Sequence, residues 1–142
     1  MHENPFVGKW TYRSMFNDPN LATAFSTLEF GYGTIVIDAA PSELLRGTIG
    51  DPSWGTLVLH GSRGYGSPAQ VRFQGKGVIN GEEWIYDYIG WLVPVWPNST
   101  AALQTTTIVG SVVRTVPHAS GNGGVAPAGF VASFYAVRND SR

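Results

Sequence analysis

Apolar and polar residues alternate along most of this chain, the period-two pattern of strands with one buried face. Gly (18 residues) and Pro (9 residues) interrupt the alternation. The breaks fall about every 8–12 residues, the rhythm of an all-β barrel or sandwich. Eight strands are predicted, over 7–16, 33–40, 43–50, 55–62, 69–76, 82–93, 104–116 and 128–138. A short apolar piece, 27–30, lies in the long first connection. Pro41-Ser42 predicts a tight turn between strands two and three, and Asn80-Gly81 one before strand six. Asn-Gly is a strong hairpin signal because both central positions of a type I′ turn need positive φ. The best helix candidate, 17–24, is short and begins beside Asp18-Pro19-Asn20. An even strand number with short connections predicts an all-β, eight-stranded antiparallel up-and-down β-barrel, which leaves no exposed edge. Eight strands enclose room for side chains and one small ligand.

Alternation also assigns faces. On strand one, Trp10, Tyr12, Ser14 and Phe16 are expected inside, with Lys9, Thr11 and Arg13 outside. Strand two places Gly33, Ile35, Ile37 and Ala39 inward; strand three places Leu45, Gly47 and Ile49 there. Val58, His60 and Ser62 are read as the inner face of strand four, and Val71 and Phe73 as that of strand five. Strand six is the richest. Trp84, Tyr86, Tyr88 and Gly90 share one face, and Glu83, Ile85, Asp87 and Trp91 the other. The first set suits either packing or a lined cavity. Its two phenols and one indole N–H need partners when buried, which makes it more ligand-like than a stack of Phe and Leu. The second set mixes acids with large apolar groups, a candidate homo-oligomer contact around Trp91.

Composition narrows the classes. The 142 residues suffice for one domain with its own core. Apolar residues make up 43% and aromatic residues 13%, so disorder is excluded. Charged residues make up 13% and the net charge is −1, which offers no footprint for nucleic acid or an anionic membrane. Without Cys there is no disulfide framework, thiolate chemistry or zinc–sulfur site. His2, His60 and His118 are far apart and show no metal-ligand spacing, so neither metal nor cofactor is expected. Met1-His2-Glu3-Asn4-Pro5 lacks the basic-then-apolar order of a signal peptide, and no apolar run is long enough for a membrane span. A cytoplasmic location is the expectation, and Asn98-Ser99-Thr100 then reads as a loop rather than a glycosylation site.

Gly8-Lys9-Trp10-Thr11-Tyr12 resembles the first strand of the calycin superfamily, which holds the lipocalins, fatty-acid-binding proteins and avidins. The 33–40 segment with Leu45-Arg46-Gly47-Thr48-Ile49 is similar to the second hairpin of avidins, and Val58-Leu59-His60-Gly61 to the strand that follows. Trp84 falls where avidins carry an aromatic residue on strand six. The resemblance implies a barrel whose first-strand Trp10 plugs one end beneath a basic residue of the last strand. Arg138, in Phe134-Tyr135-Ala136-Val137-Arg138, is that residue. The polar set with which avidins grip biotin has no recognisable counterpart here, so the resemblance carries the fold rather than biotin binding.

Functional residues are then expected at the end opposite Trp10. Strands six and seven meet there, which brings Trp84, Tyr86, Arg114 and the loop after His118 together. The leading expectation is a binder of a small apolar or aromatic molecule, held by Tyr12, Ser14, His60, Trp84, Tyr86, Tyr88 and Arg114. One alternative is a cofactor-free barrel enzyme, an isomerase, cyclase or lyase. It would use His60 or Tyr86 as acid–base and Arg114 to stabilise an anion. Another is an assembly module with a filled barrel. His118 by itself reads as a loop residue, and the Gly- and Ala-rich 120–129 stretch as a connection able to cover the mouth. No strand–turn–helix elbow frames a Ser, and no Gly-rich segment opens a helix, so neither a Ser-His-Asp site nor a phosphate loop is predicted.

Overall fold

A computed structural model of the chain describes residues 4–94, 96–100 and 104–140. Ten strands are found there: β1 (Gly8–Met15), β2 (Glu29–Asp38), β3 (Leu44–Asp51), β4 (Gly55–Gly64), β5 (Gln70–Ile79), β6 (Glu82–Leu92), β7 (Thr107–Arg114), β8 (His118–Ala119), β9 (Val125–Ala126) and β10 (Val131–Arg138). Eight of them close a barrel in the order β1-β10-β7-β6-β5-β4-β3-β2, every neighbouring pair antiparallel. β8 and β9 form a separate two-stranded hairpin. The predicted eight-stranded up-and-down barrel is therefore present. Among the described residues no helix is long and apolar enough to cross a membrane.

Four local readings change. The short helix candidate over 17–24 is a series of turns. The Asp18 carboxylate accepts from the Asn20 amide and the Thr23 hydroxyl, and the Asn20 side chain accepts from the Ala22 amide. Such side-chain bonds offer the backbone an alternative to a helix. The only helical piece among the described residues is the 3-10 turn Phe25–Thr27. β2 begins at Glu29, so the apolar 27–30 piece partly joins it, paired with Met15 across a register shift after Ser14. The last barrel strands are shorter than predicted, and the 115–130 connection carries β8 and β9 instead.

The fourth change reverses β4. Leu57 and Leu59 point inward, while Val58 is 51% exposed and His60 and Ser62 are also exposed. Cross-strand partners share a face. His60 stands between Arg46 and Gln74 on the outside, and Leu59 between Gly47 and Gly75 on the inside. A one-residue slip moves a whole strand to the other face, and the pair of leucines, not Val58 and His60, holds this register. Ala39 and Phe16 likewise lie beyond the ends of their strands and are exposed.

Elsewhere the assigned faces hold. Ile35, Ile37, Leu45, Ile49, Val71, Phe73, Tyr86 and Tyr88 are buried in one core. Gly47 lets two strands close up, because a Cβ there would collide with the Val36 carbonyl. Asn80 (φ 51°) and Gly81 (φ 79°) both take positive φ in the β5–β6 turn, as Asn-Gly predicts. Asn98 (φ 67°) sits in a loop.

One end of the barrel is plugged. Trp10 is fully buried and its indole N–H donates to the Phe6 carbonyl at 3.0 Å. Arg138 is its cross-strand partner on β10, and the guanidinium carbon lies 4.4 Å above the Trp10 ring. Arg138 donates to the Val7 carbonyl (3.0 Å) and the Pro5 carbonyl (2.6 Å) and pairs with Asp140 at 3.2 Å. The outer wall of β6, β7 and β10 is apolar: Ile89 and Trp91 are each 42% exposed, Val131 50%, with Val109 and Val113 half-buried beside them. His2 and the rest of the first three residues lie outside the described residues.

Candidate functional site

Alternating strand direction places four connections at the end opposite Trp10: 16–28, 52–54, 80–81 and 115–130. A cavity of about 450 Å³ opens among them. That lies within the usual range for small-molecule sites. Its interior side is made by Tyr12 and Tyr88 with Ile49 and Leu57. Behind these, Tyr88 stacks on Phe73 at 4.7 Å and meets Tyr12 edge-on at 5.7 Å. The Tyr12 hydroxyl donates to the Ser14 hydroxyl at 2.8 Å, and Ser14 donates onward to the Gly31 carbonyl. Burial dominates the acidity of these phenols. It pushes Tyr12 up to about 12 and Tyr88 well above its ordinary value. Both therefore stay protonated at neutral pH and do not act as bases.

The mouth carries a column of three rings. Trp84 of β6 lies between Trp54 (5.8 Å, 23°) and His118 (4.1 Å, 16°). Trp54 is held by the β3–β4 turn. The Asp51 carboxylate accepts from the Ser53 amide and hydroxyl, and the Trp54 indole N–H donates to the Tyr32 carbonyl at 2.9 Å. Those Ser53 bonds hold the Asp51 carboxyl below its usual range. His118, only 6% exposed, comes from the β8–β9 hairpin. The Ala119 amide donates to Glu82 at 2.9 Å and so ties that hairpin to the start of β6.

A hydrogen-bonded chain crosses the mouth beside this column. Arg114 and Tyr86 are cross-strand partners, and the Arg114 Nε–H donates to the Tyr86 hydroxyl at 3.0 Å. Tyr86 lies 2.6 Å from His118 Nε2. His118 Nδ1 is 2.9 Å from the Ala119 carbonyl, which can only accept, so Nδ1 carries a proton. In the neutral ring Nε2 is then the acceptor, and the Tyr86 hydroxyl donates to it. Burial raises the Tyr86 phenol, and the Arg114 charge works against that rise. Phe30 and Phe130 stack at 5.6 Å, and the Arg114 guanidinium lies 5.0 Å from the Phe30 ring centre.

Five of the sequence-predicted residues meet here: Tyr12, Trp84, Tyr86, Tyr88 and Arg114 all line the cavity. Ser14 faces inward but is buried behind Tyr12, which it holds in place. His60 is a correction. It lies on the outer face of β4 and cannot reach the cavity, so it is neither a ligand contact nor an acid–base group there. Trp10 and Arg138 stand together at the plugged end, far from the mouth.

Sequence reasoning missed Trp54 and Phe30; it set His118 at this end, but as a loop residue rather than one stacked on Trp84 and bonded to Tyr86. Trp54 had a legible signal, an indole inside the polar turn Asp51-Pro52-Ser53-Trp54-Gly55. The inward stacking of His118 had none, because a two-residue strand leaves no periodicity to read. Among the described residues no cluster of His, Asp or Glu could hold a metal ion. Comparisons of the chain with protein-family models, with curated proteins and with solved structures find no match.

Proposed function

We propose that this protein binds a small, mostly apolar or aromatic molecule in the open end of a calycin-like barrel. The observation that carries the reading is the cavity of about 450 Å³, walled by aromatic and aliphatic side chains with a few convergent polar groups. The calycin likeness rests on the strand order and on Arg138 lying over Trp10. A filled barrel would have no such opening, so the cavity weighs against the filled-module alternative. Titration with the neutral fluorophore N-phenyl-1-naphthylamine tests the reading. Fluorescence enhancement is expected with the natural chain, and binding weakened at least fivefold on Trp84→Ala. Equal binding by both proteins removes Trp84 from the site, and no binding by either removes the reading.

The chain Arg114–Tyr86–His118 favours a second reading, a cofactor-free barrel enzyme. Tyr86 would give a proton to the substrate while Arg114 steadies the charge that develops. His118 takes the place expected of His60. A turnover screen on cyclic and unsaturated small molecules, repeated with Tyr86→Phe, decides it: turnover that survives the change excludes Tyr86 as the acid. The apolar wall around Trp91 further supports self-association. Light scattering of Trp91→Glu against the natural chain tests this, and a natural chain that is monomeric at high concentration ends it.

A further inference from the structure

The cavity contains an unbalanced cation. Arg114 is half-buried on its lining, yet all the partners it has are neutral: the Tyr86 hydroxyl, the Pro127 carbonyl at 3.2 Å, and the faces of Phe30, Phe130 and Tyr86. Among the described residues no carboxylate pairs with it, whereas Arg63, Lys76 and Arg138 each have one. Of the acids at this end, Glu82 accepts from the Ala119 amide and Asp51 from Ser53. A guanidinium has five N–H donors, and Tyr86 and Pro127 engage two of them. Tyr86 is the lesser polar anchor, because its hydroxyl is already engaged with His118 and Arg114. The free donor capacity at the mouth therefore includes a positive, fork-shaped group set among rings.

We infer that the ligand carries a carboxylate, which Arg114 receives at the mouth while the apolar body lies deeper, against Tyr12, Tyr88 and Leu57. The guanidinium fork matches a carboxylate with two parallel N–H···O bonds, and the surrounding rings shield part of the pair from water. The inference rests on the cavity being a binding site and names the chemical class of its occupant.

A matched pair of probes separates the two claims. 2-Naphthoate and 2-naphthalenemethanol share the same ring system and differ in the carboxylate. Calorimetric titration of the full chain at pH 7 is expected to show 2-naphthoate binding about tenfold tighter or better, the scale of a hydrogen-bonded charge pair. Arg114→Gln should abolish that preference, weakening 2-naphthoate far more than 2-naphthalenemethanol. Arg114→Lys, which keeps the charge without the fork, should retain part of it. If the two probes bind the natural chain equally, the carboxylate assignment is overturned and the cavity reading stands. If Arg114→Gln weakens both by the same factor, Arg114 only braces Tyr86 and the 127–130 segment, and the assignment is again overturned. If neither probe binds, the cavity reading falls and the inference falls with it.

Discussion

Arg138 and Arg114 stand at opposite ends of one barrel, each laid over aromatic rings. Arg138 lies 4.4 Å above Trp10, donates to two carbonyls and has Asp140 beside it. Arg114 lies 5.0 Å from the Phe30 ring centre, donates to one phenol and one carbonyl, and has no acid among the described residues. The first site is complete in the chain alone: every group it needs is present and Trp10 is sealed. The second is built from similar parts but leaves a cavity and an unbalanced charge. The same residue type thus closes one end and leaves the other receptive. What differs is the presence of a counter-ion and of a ring packed into the space.

Changes at the plugged end should therefore cost stability, and changes at the mouth should cost binding. Trp10→Ala is the most severe test. Emptying a fully buried indole site should cost about 3–5 kcal/mol, read by urea denaturation. A loss no larger than that from Trp84→Ala would erase the distinction between the ends. Alkali probes the buried phenols between them. Below pH 10 the Tyr12 phenol is protonated in both states, and its contribution is fully present. Between pH 10 and about 12 the unfolded chain releases that proton while the fold retains it, so stability falls as pH rises. The loss from Tyr12 alone should reach about 2–3 kcal/mol. Tyr12→Phe should flatten the slope measured by denaturation at pH 9 to 12, and an unchanged slope would refute the burial argument.

Arg138→Met should cost about 2 kcal/mol, since it leaves the Pro5 and Val7 carbonyls without their charged donor. Arg114→Met, measured in parallel, should cost less, because the Pro127 carbonyl stays open to water and the Tyr86 hydroxyl keeps His118 as a partner. Equal losses would show that both arginines are structural. The smallest effect is expected from Tyr86→Phe, about 1 kcal/mol for removing one hydroxyl shared by Arg114 and His118. Its diagnostic readout is the His118 imidazole signal in NMR, which should shift because Nε2 loses its donor. An unmoved signal would mean that the chain across the mouth does not form in solution.

Much of the fold was legible in the chain because alternation reports a strand whenever one face is buried. β6 shows the best case: Trp84, Tyr86 and Tyr88 face the interior as their spacing requires. β4 shows the limit. Thr56-Leu57-Val58-Leu59-His60 offers apolar residues on both faces, and only pairing with β3 and β5 puts the leucines inside. The site was partly legible for the same reason. Tyr12, Trp84, Tyr86, Tyr88 and Arg114 come from barrel strands, whose register carries them to the cavity. Trp54, Phe30 and His118 depend on turns and on a short hairpin held by Glu82. Their positions follow from particular hydrogen bonds, not from a repeating pattern.

The sequence by itself determined the number of barrel strands, their antiparallel order and the pairing of Trp10 with Arg138. These depend on local alternation and on how successive strands meet. Only the tertiary structure decided that His60 lies outside, that His118 stacks on Trp84, and that Arg114 faces a cavity without an acid beside it. Each of these is a relation between segments far apart in the chain. Such relations are set by which groups find partners once the barrel has closed, and no stretch of sequence contains that information alone.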